Sequence, residues 1–289
     1  MLAAALRLLA LLPFSWIHRA GAALGWIVYR SSSRYAERIR ENLRASGLWR
    51  DEAHYRFLLR GAVAEAGKAM LELIPVWFGS DEKVERLAVA CEGWEVVEAA
   101  RARGKGIIIV TPHLGCFEMV WLYIVQRQPT TGMYRPAKLA WLEPIMMAGR
   151  NRWQATVVPA NFRGVRMFYR TLRHGGSVLL LPDQVPSVGE GVWTEFFGRP
   201  AYTMTLVTRL KQTTGAAVIM AFGERLPGGQ GYHMHFEEVP TAQFDEAALN
   251  RAIEAQIRRR PEQYLWSYFR YKAPKGAEAP PLAGMRAEG

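Results

Sequence analysis

The chain has 289 residues, half of them apolar, which is enough to bury one substantial core, and we expect a domain with a terminal appendage. Its formal net charge of +11 indicates an anionic partner without choosing among nucleic acid, an anionic membrane surface, an acidic protein and a phosphorylated substrate. The two cysteines, Cys91 and Cys116, form no CxxC pair, so nothing indicates a disulfide scaffold or a zinc ribbon, and a reducing cytoplasmic setting fits best.

The first 29 residues are almost free of charge and are compatible with a signal peptide, a membrane span or a helix in the membrane plane. A signal peptide would place its positive charge before the apolar region. The uncharged runs 8–17 and 20–29 are shorter than the roughly 18 residues of a span. On one helical wheel, a single half collects Arg7, Ser15, His18 and Arg19. We therefore favour an in-plane membrane-anchor helix over residues 1–29, and a hydrophobic helix packed on its own domain is the alternative.

Helix and strand patterns follow this segment in a regular order. Helical patterns cover residues 33–47, with Gly47 as the stop, and about 51–73. Short apolar runs then alternate with helix-like segments; the runs are "GIIIV", "ATVVPA", "SVLLLPD", "AAVIMAF" and "YHMHFEEV". This alternation predicts an α/β domain with a largely parallel sheet flanked by helices, over residues 30–272. A late helix should end before Pro261, and the tail 273–289 should be flexible.

The stretch "GIIIVTPHLGCFEMV" places a histidine and a glutamate directly after a strand. Thr111 precedes a proline and should be extended, so that the strand ends there, His113 lies in the turn and Glu118 begins the next helix. A carboxylate on one imidazole nitrogen fixes the tautomer and leaves the other nitrogen free to take a proton from a hydroxyl. We therefore predict a catalytic dyad of His113 and Glu118, at the strand end where α/β sheets usually bind ligands.

The block "HLGCFE" resembles the signature of the bacterial lipid A late acyltransferases, the lauroyl and myristoyl transferase family, with Cys116 in place of an asparagine. Four further blocks resemble that family in its own order: "MYRPAK", "FRGVRMFYRTLRHGGSVLLLPDQ", "FFGRPAYT" and "YLWSYFRYK". In the last block, Tyr268 and Phe269 stand where many members have His and Arg. Five ordered blocks over residues 106–272 are far more specific than any one of them.

The resemblance implies a glycerolphosphate-acyltransferase-like fold, an acyl carrier protein thioester as donor and a hydroxyl of a phosphorylated, Kdo-bearing lipid A precursor as acceptor. It places the enzyme at the cytoplasmic face of the inner membrane. We expect a monomer that transfers the acyl chain without a covalent intermediate, so that Cys116 is not a nucleophile. The enzyme alternatives are a lysophospholipid and a phosphatidylinositol-mannoside acyltransferase. A basic nucleic-acid-binding protein is the alternative of another class, and the apolar N-terminus argues against it.

Basic residues are concentrated between residues 133 and 173, where only Glu143 opposes eight lysines and arginines. Four of them recur at helical spacing and predict a positive ridge that binds phosphates; these are Arg163, Arg166, Arg170 and Arg173. We predict that substrate is bound by Arg135, Arg163 and Arg166. Asp183 ends a strand and is expected to orient an arginine or the acceptor, with a turn-forming role as the alternative.

The chain carries no sequence pattern of a bound cofactor. The motifs GxxxxGK[ST] and GxGxxG are missing, and no cluster of His, Cys and carboxylate residues has metal-ligand spacing. His233 and His235 alternate in a strand, and like His174 they are expected to serve loops and surface. We therefore predict neither a metal nor a nucleotide.

Overall fold

The computed structural model of the chain describes residues 2–137, 140–240, 243–278 and 280. Lys138 of the "MYRPAK" block and most of the predicted tail lie outside the described residues. The α-helices are α1 Leu2–Leu9, α2 Phe14–Ser31, α3 Ser33–Ala45, α4 Glu52–Leu71, α5 Leu73–Phe78, α6 Asp81–Leu87, α7 Trp94–Ala102, α8 Phe117–Arg127, α9 Glu143–Arg150, α10 Phe162–Arg173, α11 Leu206–Thr214 and α12 Glu246–Arg259. The strands are β1 Ala88–Glu92, β2 Ile107–Val110, β3 Thr130–Tyr134, β4 Ala155–Pro159, β5 Ser177–Leu180, β6 Gly191–Phe196, β7 Arg199–Met204, β8 Ala217–Arg225 and β9 Tyr232–Glu238.

Seven of these strands form the central sheet, in the order β1-β9-β8-β2-β5-β3-β4. Every neighbouring pair is parallel except β8 with β9, so β1 and β9 run against the other five strands. Strands β6 and β7 form a separate antiparallel hairpin. The prediction of an α/β fold with a largely parallel sheet is confirmed, and β2 lies at the centre of that sheet.

The central strand β2 is buried on both faces of the sheet and is apolar at every position. In β2, Ile108 and Val110 pack into the core on one face, whereas Ile107 and Ile109 pack into the core on the other. This division follows from the alternation of side chains along a strand. A strand buried on both faces reads as a continuous apolar run, which is why "GIIIV" was recognisable in the sequence.

The N-terminal segment does not form the single amphipathic helix that the wheel assumed. Pro13 precedes α2 and separates it from α1, because a proline lacks the amide hydrogen that a continuing helix needs. His18, expected on the polar half, is instead buried, with its Nε2 atom 3.5 Å from an Oε2 atom of Glu72. His18 therefore does not belong to an exposed polar face, whereas Arg7 and Arg19 are exposed. Within the part of the chain that the structure describes, no helix has the length and apolarity to cross a membrane.

Helix α2 packs closely against α4 through glycines. A Cβ atom on Gly25 would lie 2.2 Å from the carbonyl oxygen of Val63, and one on Gly67 would lie 2.0 Å from that of Gly21. Only residues without a Cβ allow the two backbones to approach this far. This contact matches the alternative expectation for the segment, a hydrophobic helix packed on its own domain.

Candidate active site

The loop after β2 carries His113 and is fixed to the neighbouring strand β8. Gly115 has a φ of 58°, and a Cβ atom there would lie 2.1 Å from the carbonyl oxygen of Gly223. Only glycine combines that left-handed backbone with so close an approach. The amide of Cys116 donates to the same oxygen at 2.8 Å. The loop is therefore held in one conformation before α8 begins at Phe117.

His113 is oriented by Asp183, which follows the neighbouring parallel strand β5. The Nδ1 atom of His113 lies 2.9 Å from Oδ1 of Asp183, and its backbone amide donates to Oδ2 at 2.9 Å. Because a carboxylate can only accept, Nδ1 carries the hydrogen and Nε2 is the basic nitrogen of the neutral ring. The amide nitrogen of Gln184 lies 3.1 Å from that Nε2 atom.

Asp183 is buried, at 2% exposure. Burial by itself would raise its pKa, but the charge and hydrogen bonds of His113, together with the nearby charge of Arg270, hold the pKa below its ordinary value. A carboxylate that stays charged at neutral pH stabilises the imidazolium that forms when His113 takes a proton. The arrangement has the geometry of a general base with its orienting acid.

Glu118 has a different set of partners from those predicted. Its carboxylate accepts from Nε of Arg150 at 3.0 and 3.1 Å, also contacts Nη2, and accepts from the indole nitrogen of Trp77 at 3.0 Å. The ring nitrogens of His113 have other partners. Its Nδ1 atom contacts Asp183, and its Nε2 atom contacts Gln184. The predicted hydrogen bond between His113 and Glu118 is therefore replaced by two separate pairs. A buried carboxylate at 2% exposure requires a cation, and Arg150 supplies it.

The same contact stabilises the charged form of the Arg150 guanidinium. Burial would lower its pKa, but the charge of Glu118 and their hydrogen bonds raise the pKa above its ordinary value. Arg150 lies at the end of α9, and its exposed fraction is 20%. The ion pair is therefore charged on both sides but neutral as a whole, and both of its residues line the same cavity as His113.

His113 and Glu118 line one cavity of about 260 Å³ at the carboxyl edge of the sheet. Most of its walls are apolar, and the polar side chains among its lining residues are few; they come from His113, Glu118, Tyr134, Arg135, Arg150 and Gln184. The apolar wall includes Trp121, Met133, Met146, Leu179 and Leu206. Such a lining suits a ligand that is apolar along most of its length and polar at its reacting end.

The three predicted substrate-binding arginines lie at two places. Arg135 lines the cavity, as predicted for a residue of the site. Arg163 and Arg166 lie on α10 and are exposed, and they are not among the described residues that line the cavity. The positive ridge of α10 is thus a surface outside the cavity.

A buried ionic network supports the His113 loop from beneath. Arg225 donates to both carboxylate oxygens of Glu72 at 2.7 Å and to the carbonyl oxygen of Gly115 at 2.5 Å. Tyr232 donates to Glu72 at 2.9 Å. Burial would raise the pKa of Glu72, but the charge and hydrogen bonds of Arg225, together with the nearby His18, lower it to about 2. The network therefore couples α4, β8 and the loop of His113.

Cys116 faces this network rather than the cavity. Its side chain is buried at 2% exposure, and burial, with the charge of Glu72 next, raises the pKa of its thiol well above the ordinary value. A thiol in that state is a poor nucleophile, since the thiolate is the reactive form. This supports the expectation that the reaction does not proceed through Cys116.

The model of the family "Bacterial lipid A biosynthesis acyltransferase" matches residues 1–273. The chain belongs to this family. It is similar to the lipid A biosynthesis lauroyltransferase of Escherichia coli K12, with 25% identity over 92% of this chain and 88% of the relative. It is also similar to the palmitoleoyltransferase of the same strain, with 28% identity over 71% of this chain and 68% of the relative, and to its myristoyltransferase, with 23% identity over 96% and 88%.

Membership of the lipid A biosynthesis acyltransferase family makes the chain an acyltransferase and confirms the resemblance that the five blocks carry. The fold adds residues that sequence reasoning did not select. Gln184 lies beside Asp183, so a search of the residues after β5 would have found it. Nothing in the spacing joins Trp77 or Arg150 to Glu118, because the three come from α5, α9 and α8.

Proposed function

We propose that this acyltransferase moves a fatty acyl chain from an acyl carrier protein thioester to a hydroxyl of a phosphorylated lipid A precursor. The observation that carries the proposal is the His113 imidazole, held by Asp183 at Nδ1 and lining an apolar cavity. A base at the end of an apolar cavity is the arrangement that acylation of a hydroxyl requires. The names of the similar Escherichia coli enzymes support lipid A as the acceptor.

In the proposed reaction, Nε2 of His113 removes the proton of the acceptor hydroxyl as that oxygen attacks the thioester carbonyl carbon. A carbon–oxygen bond forms, and a tetrahedral oxyanion results. When the oxyanion collapses, the carbon–sulfur bond breaks, and the departing thiolate takes the proton from the imidazolium. Asp183 stays ionised throughout and stabilises the imidazolium between these two transfers.

Gln184 is the side-chain amide nearest to the reacting centre. Its nitrogen, 3.1 Å from Nε2 of His113, occupies the place that the acceptor hydroxyl takes, and it must move when that hydroxyl binds. From a shifted position its N–H groups are available to donate hydrogen bonds to the oxyanion. We therefore include Gln184 in the catalytic site.

The charges around the cavity fit the two anionic substrates. Arg135 and Arg150 line the cavity and are placed for the phosphates of the acceptor. The exposed ridge of α10, with Arg163 and Arg166, lies outside the cavity and suits the acidic surface of the carrier protein. The acyl length does not follow from the relatives, since three similar enzymes of one strain are named for three different acyl chains.

The acceptor is a lipid, so the enzyme must meet a membrane, and the segment from α1 to the start of α2 offers an apolar surface for that contact. Leu8, Leu11 and Trp16 are exposed at 68, 73 and 60%, although each is large and apolar. Side chains of this kind insert into the interfacial region of a bilayer. We propose that this patch, rather than a spanning helix, brings the enzyme to the inner face of the inner membrane.

Mass spectrometry of lipid A from a strain that lacks the protein tests the proposal. We expect the lipid A to lose the mass of one acyl chain, and the chain to return when the wild-type gene is restored but not with the His113→Ala variant. A lipid A of unchanged mass, together with a changed phospholipid profile, would contradict the proposed acceptor and favour a lysophospholipid.

A further inference from the structure

A cluster of two histidines and a carboxylate lies at the far edge of the sheet. Glu92 ends the edge strand β1 and is the register partner of His235 on the parallel neighbour β9. His233 lies two residues before His235, so both side chains project from the same face of β9. Their ring centroids are 4.0 Å apart. None of these three residues is among the described residues that line the His113 cavity.

The donor atoms of the cluster converge. One ligating atom from each of Glu92, His233 and His235 lies within 4.8 Å of the others. His235 is already oriented, because its Nε2 atom lies 3.0 Å from a carboxylate oxygen of Glu224, while its Nδ1 atom lies 3.2 Å from Oε2 of Glu92. Metal-binding histidines are commonly held in this way by a carboxylate on the nitrogen that does not bind the metal.

We propose that Glu92, His233 and His235 bind a divalent metal ion of the zinc type and that the ion clamps the edge strand β1 to β9. Two imidazoles and one carboxylate form a donor set that zinc accepts, and water completes the coordination. Ligand atoms about 2.0 to 2.1 Å from zinc lie about 3.4 Å apart in a tetrahedral site, and Nδ1 of His235 and Oε2 of Glu92, at 3.2 Å, already have close to that separation. The Glu92 side chain is 69% exposed and can adjust its position when the ion binds.

Arg259 allows the proposal to be tested by the direction in which metal affinity changes. Its Nη2 atom lies 2.9 Å from Nδ1 of His235 and 3.8 Å from Oε2 of Glu92, so the guanidinium occupies the position of the ion. The Arg259 side chain is 39% exposed and extends from the end of α12, from which it can turn into solvent. A cation that competes for the same lone pairs weakens metal binding, and its removal must therefore strengthen it.

Titration of chelator-treated full-length protein with Zn²⁺ alone tests the site, by calorimetry and by the unfolding temperature. We expect saturable binding of one ion and a rise in the unfolding temperature, because a ligand that binds only the folded state stabilises it. Glu92→Gln and His233→Ala should weaken the binding at least tenfold, whereas Arg259→Gln should tighten it at least tenfold. His174→Ala is the matched control, since His174 is an exposed histidine on α10's C-terminal end, and it should change nothing.

The opposite results would overturn the inference. Wild-type protein that binds no zinc saturably, or that binds it equally after Glu92→Gln and His233→Ala, has no site at this cluster. Weaker binding after Arg259→Gln would also contradict it, because the arginine would then support the binding instead of competing. Circular dichroism of each variant separates loss of the ligand from loss of the fold.

Discussion

His113 is placed by the ends of two neighbouring strands, and its chemistry depends on which carboxylate it meets there. Asp183 is in contact with Nδ1, whereas Glu118 is engaged by Arg150. The two carboxylates are both buried, but their partners differ. In the proposed reaction, Asp183 acts on the proton of the imidazole, and Glu118 positions a cation at the cavity wall. The two roles can be separated by isosteric amide substitutions.

Asp183→Asn is expected to lower kcat by a factor on the order of 10² to 10⁴ with little change in the unfolding temperature. The amide keeps the size of the side chain but loses the charge that stabilises the imidazolium, and it no longer enforces the Nδ1–H tautomer. Steady-state kinetics of the purified variant with a carrier protein thioester measure the effect. Near-normal kcat for this variant would exclude Asp183 as the orienting residue.

Glu118→Gln is the matched comparison, and we expect its main defect to be a loss of stability. It leaves the Arg150 guanidinium, 20% exposed, without its carboxylate, so the free energy of unfolding should fall by about 3 kcal/mol or more. The defect should be shared by Arg150→Gln and should not add to it in the double variant. Additive losses in stability would show that Glu118 and Arg150 act independently.

At the scale of elements, α2, α4, β8 and the His113 loop meet in the ionic network of Glu72 and Arg225. Arg225 is 2% exposed and holds the carbonyl of Gly115, so the loop depends on a charge pair that is out of contact with solvent. A buried pair of this kind is worth little against an apolar replacement, but the loss of one partner is costly. Ionised Glu72 is therefore needed to keep Arg225 in place against the His113 loop.

Acid should destabilise the protein through Glu72. Its pKa is about 2 in the folded protein against an ordinary value of 4.5. A lowered pKa contributes stability that is complete above about pH 4.5 and is lost as the pH falls towards 2. Urea unfolding at several pH values should thus show a shallower loss of stability between these limits for Glu72→Gln than for the wild type. Parallel curves for the two proteins would contradict the assignment.

The apolar patch of α1 and the start of α2 should govern binding to lipid vesicles. A charge at Leu8 or Leu11, each more than two-thirds exposed, opposes transfer into the interface without disturbing the core. We expect Leu8→Glu and Leu11→Glu to reduce co-sedimentation with anionic vesicles severalfold. Phe57→Glu, at a similarly exposed phenylalanine of 67% on α4, is the control. Equal loss with all three variants would mean that charge alone, and not this patch, governs binding.

Across the whole molecule, the sequence was most informative for the strands whose burial is visible as a local apolar run. Strands β2, β5 and β8 are buried throughout, so their apolar runs were visible. Strand β1 was missed because "AVACE" consists mostly of small residues and is largely exposed at the sheet edge. The pairing of His113 with Asp183 joins residues 70 positions apart, and it follows only from the adjacency of β2 and β5 in the sheet order. Sequence spacing favoured Glu118 because it is near along the chain.

An assay with purified protein tests most directly whether His113 is the base of acyl transfer. The wild type and His113→Ala are supplied with an acyl carrier protein thioester and a lipid A precursor, and the product is followed by mass spectrometry. The wild type should add one acyl chain, and His113→Ala should be slower by a factor on the order of 10² to 10⁴ with an unchanged unfolding temperature and vesicle binding. Near-normal turnover by His113→Ala would contradict the account.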